Sequence, residues 1–154
     1  MRIDGEEILV RGPNVAPGAV AADGWLHTGD LGRVDGDGYL WVEGRRSDLI
    51  VTGGENVYST EVEQALASHP AVAQVAVIGI PDDVWVEAVH AVVVLKPEQT
   101  VTQDELVEHC RPLIAGYKLP KSIDFRTEPL PLSGAMKVLK RELRAPYWAG
   151  RSPT

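Results

Sequence analysis

Val72-Ala73-Gln74-Val75-Ala76-Val77-Ile78-Gly79-Ile80 is followed, after a connection that begins Pro81-Asp82-Asp83, by Ala88-Val89-His90-Ala91-Val92-Val93-Val94-Leu95. Both runs are rich in Val and Ile, whose branched side chains suit a pleated sheet. The second run is apolar on both faces, which predicts a central strand covered from both sides. Upstream of the pair, residues 48–52 read as a short strand ending at Gly53-Gly54. Ser59 or Thr60 can then cap a helix. Thr60 with Glu63 has capping-box spacing, and Val62, Ala65 and Leu66 share one helical face. His69-Pro70 closes that helix. Downstream, Thr102 and Glu105 form a second capping box ahead of a helix that runs to about residue 114, with Pro112 expected to kink or end it. Residues 122–128 read as a strand, 129–136 as a loop, and 138–144 as a helix stopped by Pro146.

Further upstream, residues 7–10 alternate as a short strand, and 11–24 are a Gly/Pro/Ala-rich loop. Residues 31–34 and 39–42 flank Asp35-Gly36-Asp37-Gly38, whose Asp-Gly pairs supply the positive φ angles of a hairpin. The polar stretch Glu43-Gly44-Arg45-Arg46-Ser47 lacks periodicity and is the expected linker. The expected fold class is therefore α+β: a small mixed β-sheet with packed helices, in the order β-α-β-β-α-β-α, preceded by a short β-hairpin segment. The expected domains are 1–46 and 47–154.

Composition excludes several function classes. Apolar residues make up 44% of the 154 residues, enough for a core. A formal net charge of -7 is the wrong sign for a nucleic-acid binder. Cys110 is the single cysteine and has no internal disulfide partner, which fits a reducing compartment. The first ten residues lack a basic region followed by an apolar run, and no stretch has the length and apolarity of a membrane span. These features together lead to an expected cytoplasmic location. The four histidines show no metal-ligand spacing, and no metal site is expected within the chain.

Three segments hold residue types that suit ligand chemistry. In Gly24-Trp25-Leu26-His27-Thr28-Gly29-Asp30, a carboxylate flanked by glycine can accept from vicinal hydroxyls, or can simply start a turn. In Gly44-Arg45-Arg46-Ser47-Asp48, Arg45 can hold a hydroxyl or phosphate, and Gly53-Gly54 lets backbone approach a ligand; an ordinary basic turn and loop fit equally. In Ser133-Gly134-Ala135-Met136-Lys137-Val138-Leu139-Lys140-Arg141, a lysine on a Gly-containing loop can neutralise a phosphate or carboxylate oxygen, or belong to a solvated basic face. Trp85 can line a channel or pack on its own sheet.

Taken in order, these segments resemble the adenylate-forming enzymes. Gly24 to Asp30 resembles their ribose-binding motif, and Gly44-Arg45 through Gly53-Gly54-Glu55-Asn56-Val57 their hinge and the loop after it. Ser133-Gly134 to Lys137-Val138-Leu139-Lys140-Arg141-Glu142-Leu143 resembles their C-terminal lysine motif, and Tyr117-Lys118-Leu119-Pro120-Lys121 the segment before their last strand. The resemblance is nearest to fatty acyl-CoA synthetases. It implies activation of a carboxylate by ATP to an acyl-adenylate, then transfer to the thiol of CoA. It implies that Asp30 and Arg45 hold the ribose hydroxyls, and that Lys137 bridges the α-phosphate and the carboxylate. Ser47 would be the hinge, and Gly53, Gly54 and Trp85 would lie along the pantetheine path. ATP or AMP and CoA would be substrates, with Mg²⁺ in the complete enzyme but not on this chain. The implied partner is a large N-terminal adenylation domain carrying the acyl pocket, because no Gly-rich phosphate loop ending in Lys lies within these residues. The competing readings are a non-catalytic remnant or docking module, and part of an adenylation domain that loads a carrier protein. Ser47, Gly44, Val86 and Met136 depart from the family pattern; Met136 stands where close relatives usually have Gly.

Overall fold

A computed structural model describes residues 1–150. The chain divides into two compact units, Met1–Ser47 and Asp48–Thr154. The first is larger than a hairpin. Strands β1 (Arg2–Asp4), β2 (Glu7–Val10), β3 (Leu26–Val34) and β4 (Leu40–Arg45) form a four-stranded antiparallel sheet in sequence order. The turn between β3 and β4 is built on Asp35. Its Oδ1 accepts from the backbone N–H of Asp37 (3.1 Å) and Tyr39 (2.9 Å), and its Oδ2 from the Trp41 indole (2.6 Å). The Trp41 hydrogen bond, then those of the backbone, hold the Asp35 carboxyl below the usual carboxylate range. Ile8, Leu9 and Leu31 are the buried apolar side chains of this unit. The expected linker is partly strand. Glu43, Gly44 and Arg45 complete β4, because cross-strand pairing with Asp30 and Leu31 satisfies a backbone that carries no hydrophobic signal.

The second unit opens with β5 (Leu49–Thr52), the turn Gly53-Gly54 and β6 (Glu55–Tyr58), a strand the sequence does not announce. Helix α1 (Ser59–Ala67) follows, then β7 (Val72–Asp82), β8 (Val86–Leu95), α2 (Gln103–Cys110), β9 (Ser122–Arg126) and α3 (Lys140–Arg144). The sheet order is β6-β5-β8-β7, with β9 added parallel to β8, so the sheet is mixed and β8 is central. Along β8 the side chains alternate. Val89, Ala91 and Val93 join Ile50, Val57, Val62, Leu66, Val77, Leu106 and Cys110 in the larger core, which takes in α1 and α2. Val92 faces the other way and packs with Ala76, Ile78, Leu130 and Leu143.

The two capping-box expectations part company. Thr102 and Glu105 exchange both hydrogen bonds, 3.3 Å and 2.8 Å, at the start of α2. Thr60 and Glu63 do not. Tyr58 is the N-cap of α1, without a side-chain cap bond, and Glu63 points instead to the backbone of β7 and the ammonium of Lys140. Helix α2 ends at Cys110, two residues before Pro112; its C-cap Arg111 keeps α backbone and donates its N–H to the Val107 carbonyl at 3.1 Å, so the helical ladder stops where proline has no N–H to give. Helix α3 begins only at Lys140, because Val138 pairs with Leu132. Among the described residues no helix is long and apolar enough to cross a membrane.

Candidate functional site

In the first unit, pairing of β3 with β4 sets Asp30 opposite Arg45. Arg45 Nε donates to Asp30 Oδ1 at 2.7 Å, and both side chains remain solvent-accessible. The approach to Asp30 is fixed locally. Thr28 Oγ1 donates to the Ile8 carbonyl (2.7 Å) and accepts from Asp30 N–H (3.0 Å). Gly29 has φ +70° and donates its N–H to Glu7 Oε1 at 3.1 Å. Glu7 also accepts from Arg46 at 3.1 Å. His27 sits between Asp23 (3.1 Å) and Glu7 (3.5 Å); the Asp23 hydrogen bond, then that of Glu7, raises its pKa. The result is a carboxylate and a guanidinium side by side on adjacent strands. Such a pair offers both an acceptor and planar donors to a diol. Ser47 is the last residue of this unit.

In the second unit, Gly53 and Trp85 are in direct contact. Gly53 N–H donates to the Trp85 carbonyl at 2.9 Å, and an added Cβ on Gly53 would lie 2.5 Å from Trp85 Cε3. Gly53 and Gly54 have φ of +60° and +84°, which glycine alone adopts without penalty. Trp85 belongs to the tight turn between β7 and β8. There Asp82 Oδ1 accepts from the N–H groups of Val84 and Trp85, both at 2.9 Å. Those bonds, Trp85 first, hold the Asp82 carboxyl below the usual range. Lys121 Nζ sits 4.7 Å from the centre of the Trp85 ring and 3.6 Å from Asp82. Thr52, Gly53, Glu55, Trp85, Tyr117 and Lys121 enclose a recess of about 240 Å³. Lys121 and Tyr117 received no role from the sequence. Their neighbourhood to Trp85 depends on β9 lying parallel to β8, which no local pattern encodes.

Lys137 lies on a small hairpin after β9. Ser133 N–H donates to the Lys137 carbonyl (2.8 Å), Met136 N–H to the Ser133 carbonyl (2.9 Å) and Leu139 N–H to the Pro131 carbonyl (2.8 Å). Met136 has φ +59°, the left-handed region that Gly would occupy without strain. The Lys137 side chain is exposed and makes no ion pair among the described residues. Lys140 is the opposite: its ammonium is tied at 2.7 Å to Ser59 Oγ and to Glu63 Oε1. Of the two lysines, only Lys137 has its charge available to a ligand. Among the described residues no group of three His, Cys, Asp or Glu is arranged to hold a metal ion.

Residues 61–137 match the family described as AMP-binding enzyme C-terminal domain. The 2-succinylbenzoate–CoA ligase of Bacillus cereus (strain Q1) is 46% identical over 147 residues, covering 90% of this chain and 30% of the ligase. The feruloyl-CoA synthase of an Amycolatopsis species is 47% identical over 147 residues, with the same coverage of 90% and 30%. The structure of o-succinylbenzoate CoA synthetase from Bacillus subtilis, in complex with its acyl-adenylate intermediate, superposes with a TM-score of 0.81 at 42% identity. It covers 89% of this chain and 30% of that one. The chain thus spans about 30% of the length of these relatives.

Proposed function

The chain belongs to the family of AMP-binding enzyme C-terminal domains, and from that membership we propose that it is the lysine-bearing part of an ATP-dependent acid–CoA ligase. On this reading, residues 1–46 are the end of a large adenylation domain and 47–154 are its C-terminal lid, with Ser47 the hinge between them. The single observation that carries the reading is the contrast between the free ammonium of Lys137 and the tied ammonium of Lys140. A cation without an ion-pair partner among the described residues, on a hairpin of defined shape, is suited to an anion that arrives from outside.

The chemistry follows from charge. In the first half-reaction the substrate carboxylate attacks the α-phosphorus of ATP and pyrophosphate leaves. Lys137 neutralises the oxygens on which negative charge gathers, while Asp30 and Arg45 hold the ribose hydroxyls. In the second, the CoA thiol attacks the acyl carbonyl and AMP leaves. Gly53, Gly54 and Trp85 flank the pantetheine arm there: the Trp85 ring packs directly on the bare Cα of Gly53, and the two border the recess of about 240 Å³ that would take a narrow chain. Mg²⁺ is expected with ATP in the complete enzyme, and none of this chain's residues is assigned to it. For the acyl group, the names of the B. cereus ligase and the Amycolatopsis synthase favour an aromatic acid; a fatty acid, implied by the sequence resemblance, is the alternative.

The test pairs or fuses the chain with a matching large domain. Lys137→Ala is expected to slow acyl-adenylate formation by about a hundredfold or more, the size of other single electrostatic donors. Preformed acyl-adenylate should still pass to CoA at near the parental rate. No loss in either step would favour the docking or remnant reading. Transfer to a carrier protein but not to CoA would favour an adenylation domain of the carrier-loading kind.

A further inference from the structure

The Lys137 hairpin has a shape of its own; Val138 of its stem packs against the smaller core cluster, but its polar ties to the sheet are few. Its internal hydrogen bonds join residues 131–139 only, and the Leu132–Val138 bridge closes its stem. On the entry side one polar tie runs to β7, from Leu130 N–H to Gln74 Oε1 at 2.9 Å. On the exit side stands Lys140, three residues after Lys137. Its side chain is 13% exposed and its ammonium meets Ser59 Oγ and Glu63 Oε1, each at 2.7 Å. The same Glu63 oxygen accepts from the backbone N–H of Val77 at 2.8 Å. Glu63 thereby links three elements: its own helix α1, the edge strand β7, and the start of α3. Ser59 is itself buried. Charge-assisted bonds in a shielded place are strong and directional, so this group is the main polar fixture for the exit side of the hairpin.

We propose that Lys140, held by Glu63 and Ser59, is a positioning residue that sets the Lys137 hairpin on the domain. The proposal deepens the reading of Lys137 as the reacting cation and rests on it for its meaning in catalysis. The physical claim about the hairpin stands separately. Lys140 never touches the substrate; it fixes where the neighbouring free cation is held. Without it, the stem amides open more often, while the β7–β8 pairing, which depends on the apolar core, does not change.

Amide hydrogen exchange on the 154-residue chain tests this. Lys140→Met is expected to speed exchange of the Ser133, Lys137 and Leu139 amides roughly tenfold or more, with the Ala91 and Val93 amides of β8 unchanged. Lys140→Arg keeps the charge and the donors and should restore slow exchange. Glu63→Gln keeps an acceptor for Val77 while removing the charge. It should give a smaller rise confined to the stem, and it serves if Lys140→Met does not fold. In the fused enzyme, Lys140→Met should slow adenylation more than thioester formation, and Lys140→Arg should not. Stem exchange unchanged in both Lys140→Met and Glu63→Gln, or a rise shared equally by β8, overturns the proposal. Lys137→Ala should leave stem exchange as it was, because its side chain holds nothing in place. Failure of the clamp and failure of the Lys137 reading are therefore read in different measurements.

Discussion

Gly53 shows how much one hydrogen atom can matter. Its φ of +60° would strain any L side chain, and the Trp85 ring occupies the space a Cβ would take. Gly53→Ala therefore combines a left-handed backbone penalty of about 1–2 kcal/mol with a steric clash. We expect it to lower stability by roughly 2–3 kcal/mol, or to lift the already half-exposed Trp85 ring off the turn and further into solvent. Urea unfolding gives the first quantity, and a red shift of the indole fluorescence reports the second. An Ala variant with wild-type stability and spectrum would mean that the close approach does not exist in solution. At this scale the sequence was informative about identity and silent about company. Gly53, Gly54, Trp85 and Lys137 could be singled out by type and spacing. Lys121 over the Trp85 ring, and Lys140 locked to Glu63, could not.

Among the elements, β8 carries a buried polar residue on its second face. His90 is 1% exposed, and its Nδ1 meets Ser122 Oγ of β9 at 2.7 Å. Its Nε2 lies 3.0 Å from the Tyr147 hydroxyl, which in turn donates to Asp124. Burial, together with the Asp124 hydrogen bond, pushes the Tyr147 phenol up to about 12, so the hydroxyl stays a donor. Burial also holds His90 below its ordinary value of 6.5, against the pull of Asp124 at 3.7 Å. The folded state thus binds this proton less readily than the unfolded chain. The stability linked to neutral His90 is fully present above about pH 6.5 and is lost as pH falls through the lower folded pKa. Unfolding free energies at pH 7.5 and pH 5 should differ in that direction, and His90→Gln should flatten the difference. Because the raised pKa of His27 acts in the opposite direction, the comparison of the two chains decides: a His90→Gln variant with the same change in stability between pH 7.5 and pH 5 as the wild type would contradict the assignment. The strand itself was plain from its apolar run. The capping box at Thr102 was equally plain, because it is satisfied within four residues. The one read at Thr60 was not realised, because Glu63 found a buried ammonium and an edge-strand N–H far away in sequence.

On the scale of the chain, apolar burial is unevenly shared. Ile8, Leu9 and Leu31 are the buried apolar side chains of the first unit, whereas Tyr39 and Val42 of the same unit are 69% and 63% exposed. The second unit holds both core clusters. Opening free energy follows local burial, so amides of β2, β3 and β4 are expected to exchange well before those of β7 and β8 in the isolated chain. Equal, slow exchange across both units would show that the first sheet has acquired a partner. The sequence by itself determined what periodicity and chemistry encode locally: the α+β class, the paired Val-rich strands, the α2 cap, the hairpin at Asp35 and the motifs that place the chain in its family. Only the tertiary structure decided that the hairpin belongs to a four-stranded sheet, that Glu43, Gly44 and Arg45 are strand rather than linker, and that β6 exists. It also decided which lysine is free. Those outcomes depend on pairings between residues distant in the chain, where a backbone group or a charge takes the partner that folding brings to it, and no window of neighbouring residues contains that partner.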